Sequence, residues 1–344
     1  MNTSSKLQRQ LKALLIAGIT VCGLAPAYAA VAPRVTADNY VRAESDIQMR
    51  GYIEKLNNFG KFAHLRELYD VNNQVTVRAN RDTLYSIGVF DLTSPLTVTL
   101  PDTKGRYQSL MVVNQDHSIW AFYGSKTGTL TEENVGTRYV MLVLRTFADP
   151  YDEKDMKAAH RLQDAVVFEQ ADIGKFEVPK WNSAEVEQMR ATISVVAATV
   201  TDAGRMFGKR EELDPVYWLL GAAVGWGGLP PTSATYAIIF PEMNDGKTPH
   251  TLTVRDVPVD AFWSVTLYDG QGWIPVNKYN AYSFNNVTAK KDKDGSITIH
   301  FGGDSNQPNF LPIVPEWNYI VRMYRPRQEI LDGTWTFPSA VAAE

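Results

Sequence analysis

The run VTVRANRDTLYSIGVFDL, residues 75–92, decides how the first half of the chain is built. Its alternate positions Val75, Val77, Ala79, Tyr85, Ile87 and Val89 would line one buried face of a strand, because successive side chains of a strand point to opposite sides. Arg81 falls on that same face, flanked by Asn80 and Asp82. Two readings follow. In the first, Asn80-Arg81-Asp82-Thr83 is a turn, since Asn and Asp side chains cap nearby backbone groups, and Arg81 faces solvent or a structural ion pair. In the second the strand is continuous and Arg81 points inward beside a cavity, where the cost of burying an unpaired charge demands a carboxylate or a bound anion. On the second reading Asn80, Arg81 and Asp82 line a ligand site.

Outward from this run, TVTLPDTKGRYQSLMVVNQ (97–115) and SIWAFYG (118–124) predict a meander with turns at Pro101-Asp102 and Lys104-Gly105, and RYVMLVLRTF (138–147) predicts a near-continuous apolar strand. Upstream, TADNYVRAESDIQMRGYIEKL (36–56) predicts a helix with Tyr40, Ile47 and Tyr52 on one face and charge on the other. A helical block follows the strands. It places Met156, Ala159, Leu162, Val166 and Val167 at helical spacing. A second helix opens at Asn182, with Glu185 at the capping-box distance, and buries Val186, Met189, Ile193, Val196 and Val200. A third has Asp214 as N-cap and Pro215 at the first position.

From Thr235 onward the pattern is strand after strand: YAIIF, TLTVRDVP, FWSVTLYD, SITIHFGG and YIVRMYRP. Lys293-Asp294-Gly295-Ser296 reads as a hairpin turn between NNVTAK and SITIHF. The expected fold class is mainly β with an inserted helical block (α+β). A mixed domain over residues 30–235 precedes a jelly-roll-like β-sandwich over 236–344.

The first thirty residues have the parts of a secretory signal. Lys6, Arg9 and Lys12 precede an apolar stretch from Leu14 to Leu24, and Ala27-Tyr28-Ala29 is a small-x-small site, so cleavage is expected after Ala29 or Ala30. The stretch is shorter than the roughly 20 residues of a spanning helix. A soluble periplasmic protein of about 315 residues, enough for two domains, is the expectation. Removing the signal takes the formal net charge from −4 to −7, because Lys6, Arg9 and Lys12 leave with no acid. That balance argues against nucleic acid or anionic lipid as the main partner. Cys22, the only cysteine, lies within the signal, so the mature chain is predicted to have no disulfide, thiolate metal site or cysteine nucleophile.

Several motifs then share one resemblance. NRDTLYS, GWGGLPPTSATY, FWSVTLYDGQGW, DGSITIHFGGD and NYIVRMYRPRQEILDGTWTFP, in that order, resemble exported bacterial proteins that pair domains of unknown function 1254 and 1214. The resemblance covers nearly the whole mature chain. It implies a mixed N-terminal domain and a jelly-roll-like C-terminal one, and says little of activity. Asn309-Phe310-Leu311-Pro312 departs from it, since tryptophan is expected before the leucine.

The chemistry is carried by residues in three groups. VVNQDHSIWAFYG (112–124) concentrates Asp116, His117 and Trp120. His117 is either a lone acid-base group or metal ligand, or a hydrogen-bonded structural histidine. A Ser-His-Asp triad is disfavoured, since neighbours along a strand do not face one another and no G-x-S-x-G elbow occurs. The histidines His64, His117, His160, His250 and His300 show neither H-x-H nor H-E-x-x-H spacing, which leaves a site assembled from distant strands open and any cofactor unknown. The Asn80-Arg81-Asp82 run is the second group. The third is aromatic, with Trp226, Trp273 and Tyr282 among rings suited either to stacking on a sugar or flat ligand or to the core. Arg322 and Arg325 are three apart, so only one can face a given pocket.

Three functions stay open. The chain binds a small molecule or glycan near the domain interface through Asn80, Arg81, Asp82, Trp120, Trp226, Trp273 and Tyr282. Alternatively it is a periplasmic hydrolase or lyase using His117, Asp116 and Tyr85. The third reading is an assembly protein, with a homo-oligomer among its forms, that uses the sandwich as an interface.

Overall fold

The computed structural model describes residues 32–74 and 76–343. The expected signal sequence with Cys22 and its expected cleavage site, and Val75, lie outside the described residues.

In chain order the strands of the first half are β1 (Ala63–Leu65), β2 (Thr83–Asp91), β3 (Leu96–Leu100), β4 (Gln108–Asn114), β5 (Ile119–Tyr123), β6 (Lys126–Leu130), β7 (Tyr139–Phe147) and β8 (Val167–Gln170). They form an antiparallel sheet ordered β1-β2-β7-β4-β5 and a smaller one ordered β6-β3-β8. The expected meander is therefore split. β4 and β5 are hairpin partners, but β3 leaves for the other sheet, where Val98 and Leu100 pack on Leu110, Val112, Leu142 and Leu144. The opening run also divides: β2 begins only at Thr83, and residues 76–82 are irregular.

Four helices of two turns or more are described, α1 (Tyr40–Leu56), α2 (Glu153–Asp164), α3 (Ser183–Ala197) and α4 (Pro215–Val224). Asn182 and Asp214 cap α3 and α4 as expected, while Glu185 bonds the Val35 amide in place of closing a capping box. Val196 of α3 is exposed, and its core face is Val186, Ile193 and Ala197. Val167 is exposed too, because it opens β8 and does not continue α2. In α1 the charged residues Glu44 and Asp46 are buried, against expectation. Each has partners: Arg190 for Glu44, and Gln115 with Trp181 for Asp46. A buried charge is tolerated only when so satisfied.

The second half contributes β9 (Ala234–Ile239), β10 (His250–Val254), β11 (Trp263–Tyr268), β12 (Ser283–Asn285), β13 (Ile297–Phe301), β14 (Phe310–Leu311), β15 (Asn318–Tyr324) and β16 (Val341–Ala342). They make two four-stranded sheets, β14-β13-β10-β16 and β12-β11-β15-β9, which enclose Leu252, Val265, Ile299, Phe301, Trp317 and Val321 as a jelly-roll-like sandwich. The turn at Lys293–Ser296 forms, with the Asp292 amide on the Ser296 carbonyl at 2.8 Å. It does not close a hairpin, since β12 pairs with β11 in one sheet and β13 with β10 in the other. The fold is thus mainly β with a helical block between its two halves.

β11 and β15 are buried on both sides. Val265, Leu267, Tyr319 and Val321 point into the sandwich, while Ser264, Thr266, Arg322 and Tyr324 point towards the first half. There the core is continuous across the chain: Ile87, Met111, Val143 and Phe147 of the large sheet pack with Met49 of α1 and with Leu229, Ala234, Phe262 and Tyr324. Each fully buried aliphatic or aromatic side chain adds about 1.5–3 kcal/mol. The seam between the halves is therefore a packed surface, with polar groups set in it.

Candidate functional site

β7 has nine residues, all buried, and one of them is charged. Arg145 stands opposite Tyr85 on β2 and Ser109 on β4, and Ser109 stands opposite Tyr123 on β5. The row shares its face with Val143 and Phe147, which look towards Phe262 and Tyr324 of the second half. Only 9 % of Arg145 is exposed. Its guanidinium carbon is 5.4 Å from the Tyr85 ring centre, and Nη1 is 3.5 Å from Met111 Sδ. Among the described residues no carboxylate forms an ion pair with it.

Tyrosines surround it. Tyr52 from α1, Tyr107 before β4 and Tyr236 from β9 lie within its electrostatic reach. Burial pushes all three phenols above their usual range, so each keeps its proton at neutral pH and can donate a hydrogen bond. Tyr236 lies opposite Arg322 in the sheet, and 50 % of its surface is open. Tyr236 lines a cleft of about 600 Å³ with Phe207, Leu229 and Ala234. Tyr107 and Tyr123 line another of about 480 Å³ with Phe262 and Arg325.

Beside this cluster runs the seam that the opening stretch builds. Asn80 Oδ1 accepts from the Asp82 amide at 2.7 Å, the local capping that the turn reading expects. The side chains nonetheless face the second half. Asn80 Nδ2 donates to the Tyr324 hydroxyl at 2.7 Å, and Asp82 Oδ2 accepts from Ser264 Oγ at 2.6 Å and from Tyr324 at 3.0 Å. Burial pushes the Asp82 carboxyl above its ordinary range, with Arg322 working in the opposite sense. Arg322 donates to the carbonyls of Arg78 and Ala79, to Thr266 Oγ1 and to the Tyr268 hydroxyl. Arg325, by contrast, lies beyond the end of β15 over Tyr123. Arg81 donates to the Tyr69 carbonyl and lies 5.0 Å from the Tyr282 ring centre.

The remaining sequence candidates are dispersed. His117 is fully buried, with Nε2 accepting from the Gly227 amide at 2.9 Å and its ring stacked on Trp226. Burial holds its pKa down to about 3, so it is neutral at ordinary pH. Asp116 pairs with Arg42 at 2.6 Å, and Trp226 donates to Ser45. Asp116 and Trp120 line a separate surface cleft of about 570 Å³. Trp273 is half-buried in the loop after β11, and Tyr282 is buried under Arg81. Phe310, at the departure from the resembled pattern, packs edge-on against exposed Tyr279 at 5.2 Å. Of the proposed catalytic set, Tyr85 alone reaches the Arg145 cluster, and Asp82 adjoins it.

Arg145, Tyr107 and Tyr236 did not stand out in the sequence. The available signal was a lone arginine inside RYVMLVLRTF, a strand otherwise apolar enough to be central, which is the same oddity that Arg81 presents in a weaker context.

Comparison with known proteins agrees with this architecture. Residues 59–135 match the model of a family described as protein of unknown function DUF1254, and residues 241–328 match that of DUF1214, also a protein of unknown function. The crystal structure of the VPA0106 protein from Vibrio parahaemolyticus superposes with a TM-score of 0.66 at 20 % identity, over 90 % of this chain and 98 % of that one, and so shares the fold. An uncharacterized protein from Burkholderia cenocepacia has a TM-score of 0.47 at 12 % identity, over 89 % of this chain and 88 % of that one. None of the curated proteins matches. The chain therefore carries a DUF1254 segment followed by a DUF1214 segment, the pair and order that its motifs suggest.

Proposed function

We propose that this protein binds a small molecule or glycan fragment in the cleft between its two halves. One observation supports the reading above the others: Tyr236, opposite Arg322 in the sheet and with half its surface open, lines a cleft of about 600 Å³ to which both halves contribute. Ligand sites favour such places, where two units meet and a few polar groups converge on an otherwise apolar wall. The walls fit that description, with Phe207 and Leu229 of the first half on one side and Ala234 and Ile238 of the second on the other.

The test is thermal denaturation against a panel of sugars, alcohols, amides and organic acids, because a ligand of the folded state raises the melting temperature with its concentration. A stabilising compound whose effect is lost in Tyr236→Ala supports the reading. A panel without any stabiliser, or a stabiliser indifferent to Tyr236→Ala, removes it.

We further propose export and cleavage after Ala29 or Ala30, on the strength of the charged start, short apolar stretch and Ala27-Tyr28-Ala29 site. Among the described residues no helix is long and apolar enough to cross a membrane. N-terminal sequencing of the protein from a periplasmic extract should begin at Ala30 or Val31; a chain retaining Met1 in the cytosol would refute it.

A further inference from the structure

β9 is an outer strand of the sheet β12-β11-β15-β9, and among the described residues β15 is its one strand partner. Along an outer strand, alternate residues turn their N–H and C=O groups towards the neighbour and away from it. The Arg325 amide donates to the Ser233 carbonyl at 2.9 Å, in the same register as the pairs from Tyr324↔Ala234 to Tyr319↔Ile239, so Ser233, Thr235, Ala237 and Ile239 bond to β15. The other side of β15 agrees: the Tyr324 amide donates to the Phe262 carbonyl at 2.9 Å, which commits the even-numbered members of β15 to β11. Tyr236 and Ile238 therefore turn their backbone donors and acceptors outward. Among the described residues these groups have no partner, and half of each residue is exposed.

The cleft of about 600 Å³ runs along this free edge. Thr235 shares the sandwich side of β9 with Ala237 and Ile239, while Ala234, Tyr236 and Ile238 share the side of Arg322 and Tyr324, yet Ala234, Thr235, Tyr236 and Ile238 all line it. Only a space beside the strand, in the plane of the sheet, meets both of its faces. Phe207, from the core of the first half, walls the cleft on one side of that plane, and Ile330, packed on the sandwich core, walls it on the other. From Leu229 to Pro241 the chain carries no charge. The two charged residues of the lining are engaged in their own segment, Asp202 by the Gly204 amide at 3.1 Å and Arg205 by the Tyr217 hydroxyl at 2.8 Å.

Resting on the reading of this cleft as a ligand site, we propose that its occupant is a short extended peptide with uncharged, largely apolar side chains, which adds a strand to β9. Its amides and carbonyls meet those of Tyr236 and Ile238, a main-chain recognition that needs no charge on either partner. Its alternate side chains fall towards Phe207 and Tyr236 on one face and towards Thr235 and Ile330 on the other. Walls on both sides of the edge admit a single strand, whereas the sheet edge of a second copy would bring its own flanking layers against them.

Calorimetric titration of the full mature protein with acetyl-Val-Thr-Val-Thr-Val-amide tests this, with the same peptide N-methylated at every amide as the control. The parent should bind, and the control, which keeps the side chains and loses the donors, should bind at least about tenfold more weakly. Ile238→Pro removes one outward N–H and spares the bonds to β15, as proline is tolerated where the N–H of an edge strand faces outward, and it should weaken the parent peptide about tenfold. If the control binds as well as the parent, or folded Ile238→Pro keeps wild-type affinity, the strand-addition assignment fails while the cleft stands. Should Ile238→Pro not fold, hydrogen exchange of wild type decides. Saturating peptide should slow the Tyr236 and Ile238 amides, and protection elsewhere or none overturns the assignment. A free protein that sediments as a dimer with these amides already protected overturns it in favour of a second copy. If the peptide does not bind while a compound of the broader panel stabilises wild type and not Tyr236→Ala, the peptide assignment alone fails; if nothing binds, both readings fail.

Discussion

Tyr324, at the end of β15, donates its hydroxyl to Asp82 Oδ2 at 3.0 Å across the seam between the two halves of the chain. The same carboxylate takes Ser264 Oγ, and its other oxygen, Oδ1, is buried with no partner. Tyr324→Phe should cost about 1–2 kcal/mol, measured by urea unfolding, since it leaves a buried acceptor short of one donor. Asp82→Asn gives a pH signature. The folded carboxyl lies above its unfolded value, so the folded state binds the proton more tightly, and wild type gains stability relative to the variant as pH falls through the raised value. The gain ends below the ordinary value of 3.8. Wild type losing stability relative to Asp82→Asn on acidification contradicts this.

Arg145 and Arg322 should respond oppositely to the same substitution. Arg322→Met strips donors from the carbonyls of Arg78 and Ala79 and removes the positive charge beside Asp82, so it should destabilise by about 3–5 kcal/mol. Arg145→Met removes a buried cation whose contacts are the Tyr85 ring and the Met111 sulfur, and should change stability by about 1 kcal/mol or less, or raise it. Equal large losses would show that Arg145 holds the fold together as Arg322 does.

These contrasts explain what the sequence could and could not convey. Strand existence was legible where a face alternates or a run is wholly apolar, as in β7, β11, β13 and β15. Partnership was not: β3 and β4 adjoin in sequence but lie in different sheets, and the Lys293–Ser296 turn has sound turn chemistry without a hairpin, because tertiary packing decides pairing. Helix caps at Asn182 and Asp214 were legible because they are local. The site was half legible. Asp82 and Tyr85 lie beside each other in sequence near a visible anomaly, whereas Tyr52, Tyr107, Arg145 and Tyr236 are brought together from four elements. Buried Glu44 and Asp46 looked like a solvent face, since their partners Arg190, Gln115 and Trp181 are far away in sequence.

His117 should govern part of the acid sensitivity. Its folded pKa is about 3, against 6.5 for the unfolded chain, because burial disfavours the charged ring. The unfolded state therefore binds the proton first. The stability that neutral His117 contributes is complete above pH 6.5 and is lost as pH falls towards 3, by up to about 1.4 kcal/mol per pH unit. Its φ of 56° lies in the left-handed region, where asparagine is well tolerated, so His117→Asn is the variant of choice. Urea melts from pH 7 to pH 4 should show a shallower decline for His117→Asn than for wild type. Parallel declines would place the titration elsewhere.

Arg81 should prove a local tie. It donates to the Tyr69 carbonyl and lies over the Tyr282 ring, and the segment it holds continues to Gln74, whose amide exchanges two hydrogen bonds with the backbone of Ile274 at 2.8 and 2.9 Å. Arg81→Ala removes one charge-assisted bond and one cation–π contact, about 1–2 kcal/mol in all. Hydrogen exchange should quicken at residues 69–74 and little elsewhere, because the other ties of the seam, through Asn80 and Asp82, remain. If exchange quickens across the whole seam instead, Arg81 holds more than its own segment and the reading as a local tie fails.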